Sequence, residues 1–242
     1  MDFAYSSRDD VAVLVATPPN GDEYIVTFDA EGKLKSTLKL DNTRWRSRQF
    51  VPLPDGQFVI VGTETTKDKP ANPAIWIFDS AGRRVRRVLP EDLKVPATDA
   101  SAAQKSEYGR VVSFSTIDHG SDGSIYLMRF GKKGVVYVLS SGGGLSRTLR
   151  PEIPDLAYLN SIKEHQGRLL LMLVKNKAAN RPEIAQVHFQ EYGVDGALGR
   201  EFYHSIPVLG TALACYDGET LTFVGSAPDG RLRLVHAAPQ MH

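Results

Sequence analysis

One cysteine, Cys215, is the chain's whole supply of thiol, so neither a disulfide framework nor a multi-thiolate metal site can form within it. It closes the apolar stretch Thr211-Ala212-Leu213-Ala214-Cys215, which predicts a buried structural thiol rather than a nucleophile. Charge of one sign is also lacking. Lys and Arg number 29 against 28 Asp and Glu, and a net charge of +1 gives no global pull toward nucleic acid or an acidic membrane. No apolar run approaches the roughly 20 residues of a membrane-spanning helix. The opening MDFAYSSRDD has no basic segment followed by an apolar core, so it reads as no secretory leader. That places the chain in the cytoplasm if Met1 is the true start, and in the periplasm or outside the cell if a leader is missing.

Chemistry-bearing motifs are equally sparse. The six histidines, at 119, 165, 188, 204, 236 and 242, form no pair at metal-ligand spacing, and His188 between Val187 and Phe189 reads as structural. Asp118 to Gly123 lacks the alternating acids and terminal Glu of a calcium loop. Ser140-Ser141-Gly142-Gly143-Gly144 lacks the Lys-Ser/Thr helix start of a phosphate-cradling loop. No cofactor is called for.

What is present is a repeating unit, clearest from Arg48 to Leu89. Phe50-Val51-Pro52-Leu53 leads into the turn Pro54-Asp55-Gly56, and Phe58-Val59-Ile60-Val61 follows, too short for a helix and rich in β-branched residues. The polar stretch Thr63 to Pro73 reads as a loop before Ala74-Ile75-Trp76-Ile77-Phe78-Asp79, whose Trp76 reads as core. After Ser80-Ala81-Gly82 comes Arg83 to Leu89, charged wherever it is not apolar. A half-polar run, two buried runs and a charged run predict a four-stranded antiparallel meander with a wet outer edge.

The turn before the second run recurs at Asp10, Asp122, Gln166 and Asp217, which with Asp55 gives spacings of 45, 67, 44 and 51. Hydrophobic runs follow each: Val11 to Val15, Ile125 to Met128, Leu169 to Leu173 and Leu221 to Val224. Third runs recur at Tyr24 to Asp29, Val135 to Leu139, Ile184 to Phe189 and Leu232 to Val235. Repeats of about 45–50 residues with four strands each predict an all-β chain, a β-propeller of about five four-stranded antiparallel blades. PDGQFVIVG and IWIFDSAGRRVRRV resemble blades of the NHL-repeat and six-bladed lactonase-like propellers, and no Gly-His…Trp-Asp pair marks a WD repeat. The resemblance rests on strand and turn grammar and implies a fold more than a function.

One domain spanning 1–242 is expected, with blades at about 1–43, 44–92, 108–152, 156–205 and 208–242 and a long loop at 90–110. That loop is polar, with room for a short helical turn near Ala102 to Lys105. About nineteen strands are expected, one short of five full blades. Either Phe3-Ala4-Tyr5 completes the last blade, or the chain is part of a six-bladed ring whose first blade is absent. An open ring would leave edges through which copies could associate.

The loops joining strands two to three, and strand four to the next blade, leave a propeller on one face. Here they are the long ones: Thr63–Pro73, Phe130–Gly134, Lys175–Glu183, Asp41–Arg48, 90–110 and Arg150–Tyr158. Elaborated loops on a rigid scaffold mark an interaction side. Lys67, Lys69, Lys132, Lys133, Lys175, Lys177 and Arg181 fall there, with Arg44, Trp45, Arg46 and Arg48 from the segment between the first two blades. Converging cations focus a positive potential, pointing to an anionic small molecule, a glycan such as a uronic sugar, or an acidic protein patch. Trp45 either stacks on a ring or packs between blades, and the lysines in the plainer reading serve solubility alone. The resemblance offers a second class, a divalent-metal-dependent hydrolase. The innermost strands supply Gln49, Ser113, Ser115, Asn160 and Thr211 for it, with Asp118 and Glu164 near their far ends, which is polar without being a carboxylate cluster. A non-catalytic binding propeller is the preferred expectation.

Overall fold

The computed structural model describes residues 2–5, 10–17, 21–53, 55–66, 69–88, 116–129, 134–155, 157–178, 181–193, 195–204, 212–226 and 232–238. These form nineteen strands and, among the described residues, no helix. Blade 1 is β1 (Asp2–Tyr5), β2 (Val11–Thr17), β3 (Asp22–Phe28) and β4 (Leu34–Lys39). Blade 2 is β5 (Trp45–Pro52), β6 (Phe58–Thr66), β7 (Lys69–Phe78) and β8 (Arg84–Val88). Blade 3 is β9 (Thr116–His119), β10 (Ile125–Arg129), β11 (Val135–Leu139) and β12 (Leu145–Leu149). Blade 4 is β13 (Ala157–His165), β14 (Arg168–Ala178), β15 (Arg181–Tyr192) and β16 (Leu198–His204). Blade 5 is β17 (Ala212–Tyr216), β18 (Leu221–Ser226) and β19 (Leu232–Ala237).

Each sheet is an antiparallel meander in chain order, and the innermost strands β1, β5, β9, β13 and β17 pack each against the next. The fold is a five-bladed β-propeller. Phe3-Ala4-Tyr5 does not complete the last blade, as one of the two expectations had it. Phe3 lies opposite Val13 and Tyr5 opposite Val11, so β1 is the innermost strand of its own blade. Blade 5 has three strands among the described residues.

The middle strands of blades 2 to 4 are apolar on both faces because each of these blades is sandwiched between two others. In blade 2, Val59, Val61, Ile75 and Ile77 pack on Ile125, Leu127, Val135 and Tyr137 of blade 3. The alternate residues Ile60 and Phe78 face blade 1 and join Leu14, Ile25 and Leu40. Outer strands carry the charge: every residue of β4 is exposed except Leu38, which is half-buried.

Turns repeat with the strands. The Asp79 carboxylate accepts from the backbone N–H groups of Ala81 and Arg83, and Asp29 does the same for Lys33. The outermost strands of blades 1 to 4 then begin with a register shift at the same place, opposite Phe28, Phe78, Leu139 and Tyr192. Such bulges sharpen local twist and keep an outer edge from pairing with another sheet.

Candidate functional site

Two of the six stretches expected as long loops are paired strand among the described residues. Thr63 lies opposite Pro73, Glu64 opposite Asn72 and Thr66 opposite Lys69, so Thr63–Pro73 is the tip of a projecting β6–β7 hairpin. Lys175–Glu183 is likewise the β14–β15 hairpin, with Asn176 opposite Ile184 and Ala178 opposite Arg181. Backbone pairing decides this: once a ladder is started by the apolar body of a blade, polar residues extend it without burying anything. The segment Asp41–Arg48 is half strand, since β5 begins at Trp45.

Lys69, Lys177 and Arg181 therefore lie on hairpin strands, and Lys175 is half-buried at the root of the blade 4 hairpin. Arg44, Arg46 and Arg48 are exposed at the same end of blade 2. Arg44 holds a left-handed backbone (φ 58°), and the Arg46 guanidinium reaches the carbonyls of Gly21 (3.4 Å) and Trp45 (3.1 Å), tying blade 2 to the β2–β3 turn of blade 1. Lys67, Lys132 and Lys133, together with the loop at 90–110, its Ala102–Lys105 turn, and Ser113, Ser115 and Thr211, lie outside the described residues.

Trp45 is not available to a ligand. It is 0% exposed, tilts against Phe78 at 6.1 Å, and donates its Nε1–H to Ser47 Oγ at 2.8 Å. It packs between blades. Gly62 lies beneath it, where a Cβ would collide with the Arg46 carbonyl and the indole. Trp76 is half-buried, not fully core: it donates Nε1–H to Glu64 (2.7 Å) and lies under the Arg84 guanidinium at 5.5 Å.

Cys215 departs from expectation as well, for it is exposed. The β17 register shifts between Leu213 and Cys215, so Ala214 is an extra residue and the alternation slips by one. Leu213 and Tyr216 keep the core, and Cys215 turns away from it. Its thiol is pushed up by desolvation; Lys163 opposes this and Asp217 and Asp118 add to it.

One polar assembly joins Asp118 and Glu164, both named from the sequence, and a second was not legible there. In the first, the Asp118 carboxylate of blade 3 accepts from the backbone N–H of Glu164 in blade 4 at 2.8 Å. Burial, then the charges of Asp118 and Asp122, raise the Glu164 carboxyl, although the Gly167 N–H donates to it at 2.6 Å. Burial lowers nearby His119, with Asp118 partly opposing. In the second, the buried Glu191 of blade 4 is held by Arg200 (3.1 and 3.0 Å), by Arg168 (3.4 Å) and by the Tyr216 hydroxyl of blade 5. Burial pushes Glu191 up, but the hydrogen bonds from Tyr216 and Arg200 and the two guanidinium charges outweigh it and hold it below the usual carboxylate range. Burial and the bond to Glu191 push the Tyr216 phenol up to about 12. Asp118 and Glu164 each accept a backbone N–H on one oxygen, and both oxygens of Glu191 accept from Arg200, which is the pattern of a staple. The only signal in the sequence was an acid at the edge of an apolar run, and its partner comes from another blade. Among the described residues no three His, Cys, Asp or Glu side chains gather to hold a metal ion, and no helix is long and apolar enough to cross a membrane.

No protein-family model and no curated protein matches the chain. Solved structures do match its fold. It is similar to a protein of unknown function from Dyadobacter fermentans (TM-score 0.54, 8% identity, covering 100% of this chain and 76% of that one). It is similar to a protein from Bifidobacterium bifidum assigned by inference as an exo-β-1,3-galactanase (0.51, 12%, 98% and 86%). It is also similar to the β-propeller domain of the Trilobed protease from Pyrococcus furiosus, which has an open velcro topology (0.50, 11%, 98% and 68%). Other matched chains are longer, this one spanning 64% of one and 52% of another. At such identities the likeness is one of fold alone.

Proposed function

We propose that this chain is a non-catalytic binding propeller that takes an anionic ligand at the end of the ring from which the β6–β7 and β14–β15 hairpins project. The observation carrying this reading is that three exposed arginines, Arg44, Arg46 and Arg48, stand at the inner end of blade 2. Lys69, Lys175, Lys177 and Arg181 add cations on hairpins of the same end. Opposite charge there comes from Asp41 and Glu64, which pair with Arg84 and Arg87 of the outer strand β8 (3.6 to 4.0 Å). The hydrolase reading draws less support, since the two carboxylates that approach one another, Asp118 and Glu164, each already accept a backbone N–H.

Calorimetry with inorganic phosphate, D-glucuronate and a polyglutamate peptide tests the proposal at low and high salt. Binding of at least one should weaken as salt rises and be lost in Arg46→Glu and Lys175→Glu. Binding indifferent to both charge reversals, or no binding at all, overturns it.

A further inference from the structure

We infer that blade 1 carries a docking surface for a second copy of this chain, on the sheet face that points away from blade 2. Apolar clusters fill the junctions of blade 1 with 2, 2 with 3, 3 with 4 and 4 with 5, and none joins blade 5 to blade 1 among the described residues. The registers show what this leaves open. In blade 3 the residues facing the preceding blade are Ile125, Leu127, Val135, Tyr137 and Leu139, at most 4% exposed. At the same register in blade 1 stand Val11, Val13, Tyr24, Val26 and Phe28, all only half-buried. Blade 5 shows the matching loss. Ile25, Ile75, Val136 and Phe189 hold one position in the third strands of blades 1 to 4 and are at most 3% exposed, whereas Leu234 holds it in blade 5 and is 62% exposed.

The two open faces do not suit each other. That of blade 5 sets Leu234 near Thr222 and His236, which are hydrogen-bonded at 3.0 Å. That of blade 1 is aliphatic and aromatic across β2 and β3, and the exposed Leu34, opposite Phe28, continues it onto β4. Asp22 and Lys39 at its rim are spent on each other at 2.8 Å. An uncharged sheet face meets its own twin across a twofold axis without opposing like charges, the two sheets stacking about 10 Å apart. Four strands span about 19 Å and seven residues about 23 Å, so each copy offers about 450 Å² in flat projection. Apolar patches of this size on a monomer mark interaction sites. About 900 Å² between two copies falls below a standard specific interface, which makes the dimer weak and reversible. The contact is face to face, not through an open strand edge, and it needs no anionic ligand.

Sedimentation velocity of the full chain at about 1 µM and about 200 µM tests this, because mass action populates a weak dimer only at the higher concentration. Monomer should give way to dimer, and Val26→Lys should weaken association by about tenfold or more, since it buries an unpaired charge. Val26 is half-exposed in the monomer, so the melting temperature at the lower concentration should change little. A milder variant gives a second readout. In a Cys215→Ser background, Val26→Cys should react with a maleimide at the lower concentration and be protected at the higher, while Leu234→Cys reacts alike at both. A monomer at both concentrations overturns the inference, as does a dimer that survives Val26→Lys or is lost only in Leu234→Glu. Protection of Val26→Cys at both concentrations would show the face covered within one chain, and reactivity at both would leave it to a different partner. Either result overturns the inference too.

Discussion

Glu23 of blade 1 holds Ser47 of blade 2 by backbone and side chain together. The Ser47 N–H lies 3.0 Å from both carboxylate oxygens and its hydroxyl lies 2.5 Å from Oε2. Three junctions use a carboxylate in this way, each reaching from one blade to the innermost strand of the next: Glu23 to Ser47, Asp118 to Glu164 and Glu191 to Tyr216. At the blade 2–3 junction the described contacts form an apolar cluster. Ser47 immediately precedes the bulged Arg48, so the first staple also fixes where that arginine stands.

Glu23→Ala should therefore destabilise the fold by about 3 kcal/mol, the cost of two hydrogen bonds to a charged group. A urea midpoint shift at constant slope measures it. Glu23→Gln, which keeps one acceptor, should cost less, and Ser47→Ala should cost comparably because it also strands the Trp45 N–H.

At the blade 4–5 junction, Arg200→Leu leaves Glu191 buried with only the half-exposed Arg168 as counter-charge. A loss of about 3 to 5 kcal/mol is expected. Tyr216→Phe removes one charge-assisted bond and should cost about 1.5 to 3 kcal/mol. If the double variant costs the full sum of both, the two residues do not act through the same carboxylate.

Gly62→Ala places a methyl against the Trp45 indole and a backbone carbonyl, neither of which can retreat. About 1 to 3 kcal/mol of overpacking is expected, against about 3 to 5 kcal/mol for Trp45→Ala. Neither change should alter which anion binds, because the indole is enclosed. A shift in ligand preference in either variant would show that Trp45 reaches the ligand.

Acid should weaken the fold in two stages. His188 is 4% exposed, stacks on Tyr203 at 4.3 Å, and stands 3.3 Å from Glu201 out of bonding geometry. Desolvation lowers its pKa, with Glu201 opposing and Lys175 assisting. His119 is lowered in the same sense. A histidine depressed in the folded state lets the unfolded chain take the proton first, so stability falls as pH drops below about 6.5. Glu191, also depressed, contributes stability present above about 4.3 and lost below that as pH falls through its folded value. Melting temperature against pH should bend near both. The double variant His119→Leu, His188→Leu should flatten the upper bend and spare the lower. An unchanged upper bend would mean that other groups carry it.

Strand number, strand order within a blade, the tight turns and the apolar middle runs were all legible in the sequence, because alternation and turn chemistry are local and recur in every blade. Period and composition together determined a propeller. Hairpin length was not legible: Thr63 to Pro73 is polar, and polarity alone reads as loop, whereas an existing ladder recruits such residues at little cost. Bulges were not legible either, and they decide direction. One extra residue at Ala214 brought Cys215 out of the core, and others interrupt the ladders of β5 at Arg48 and β13 at Asn160. The staples at Glu23, Asp118 and Glu191 were invisible for the plainest reason. Each acid finds its partner in the neighbouring blade, and only the closing of blade against blade brings donor and acceptor within bonding distance.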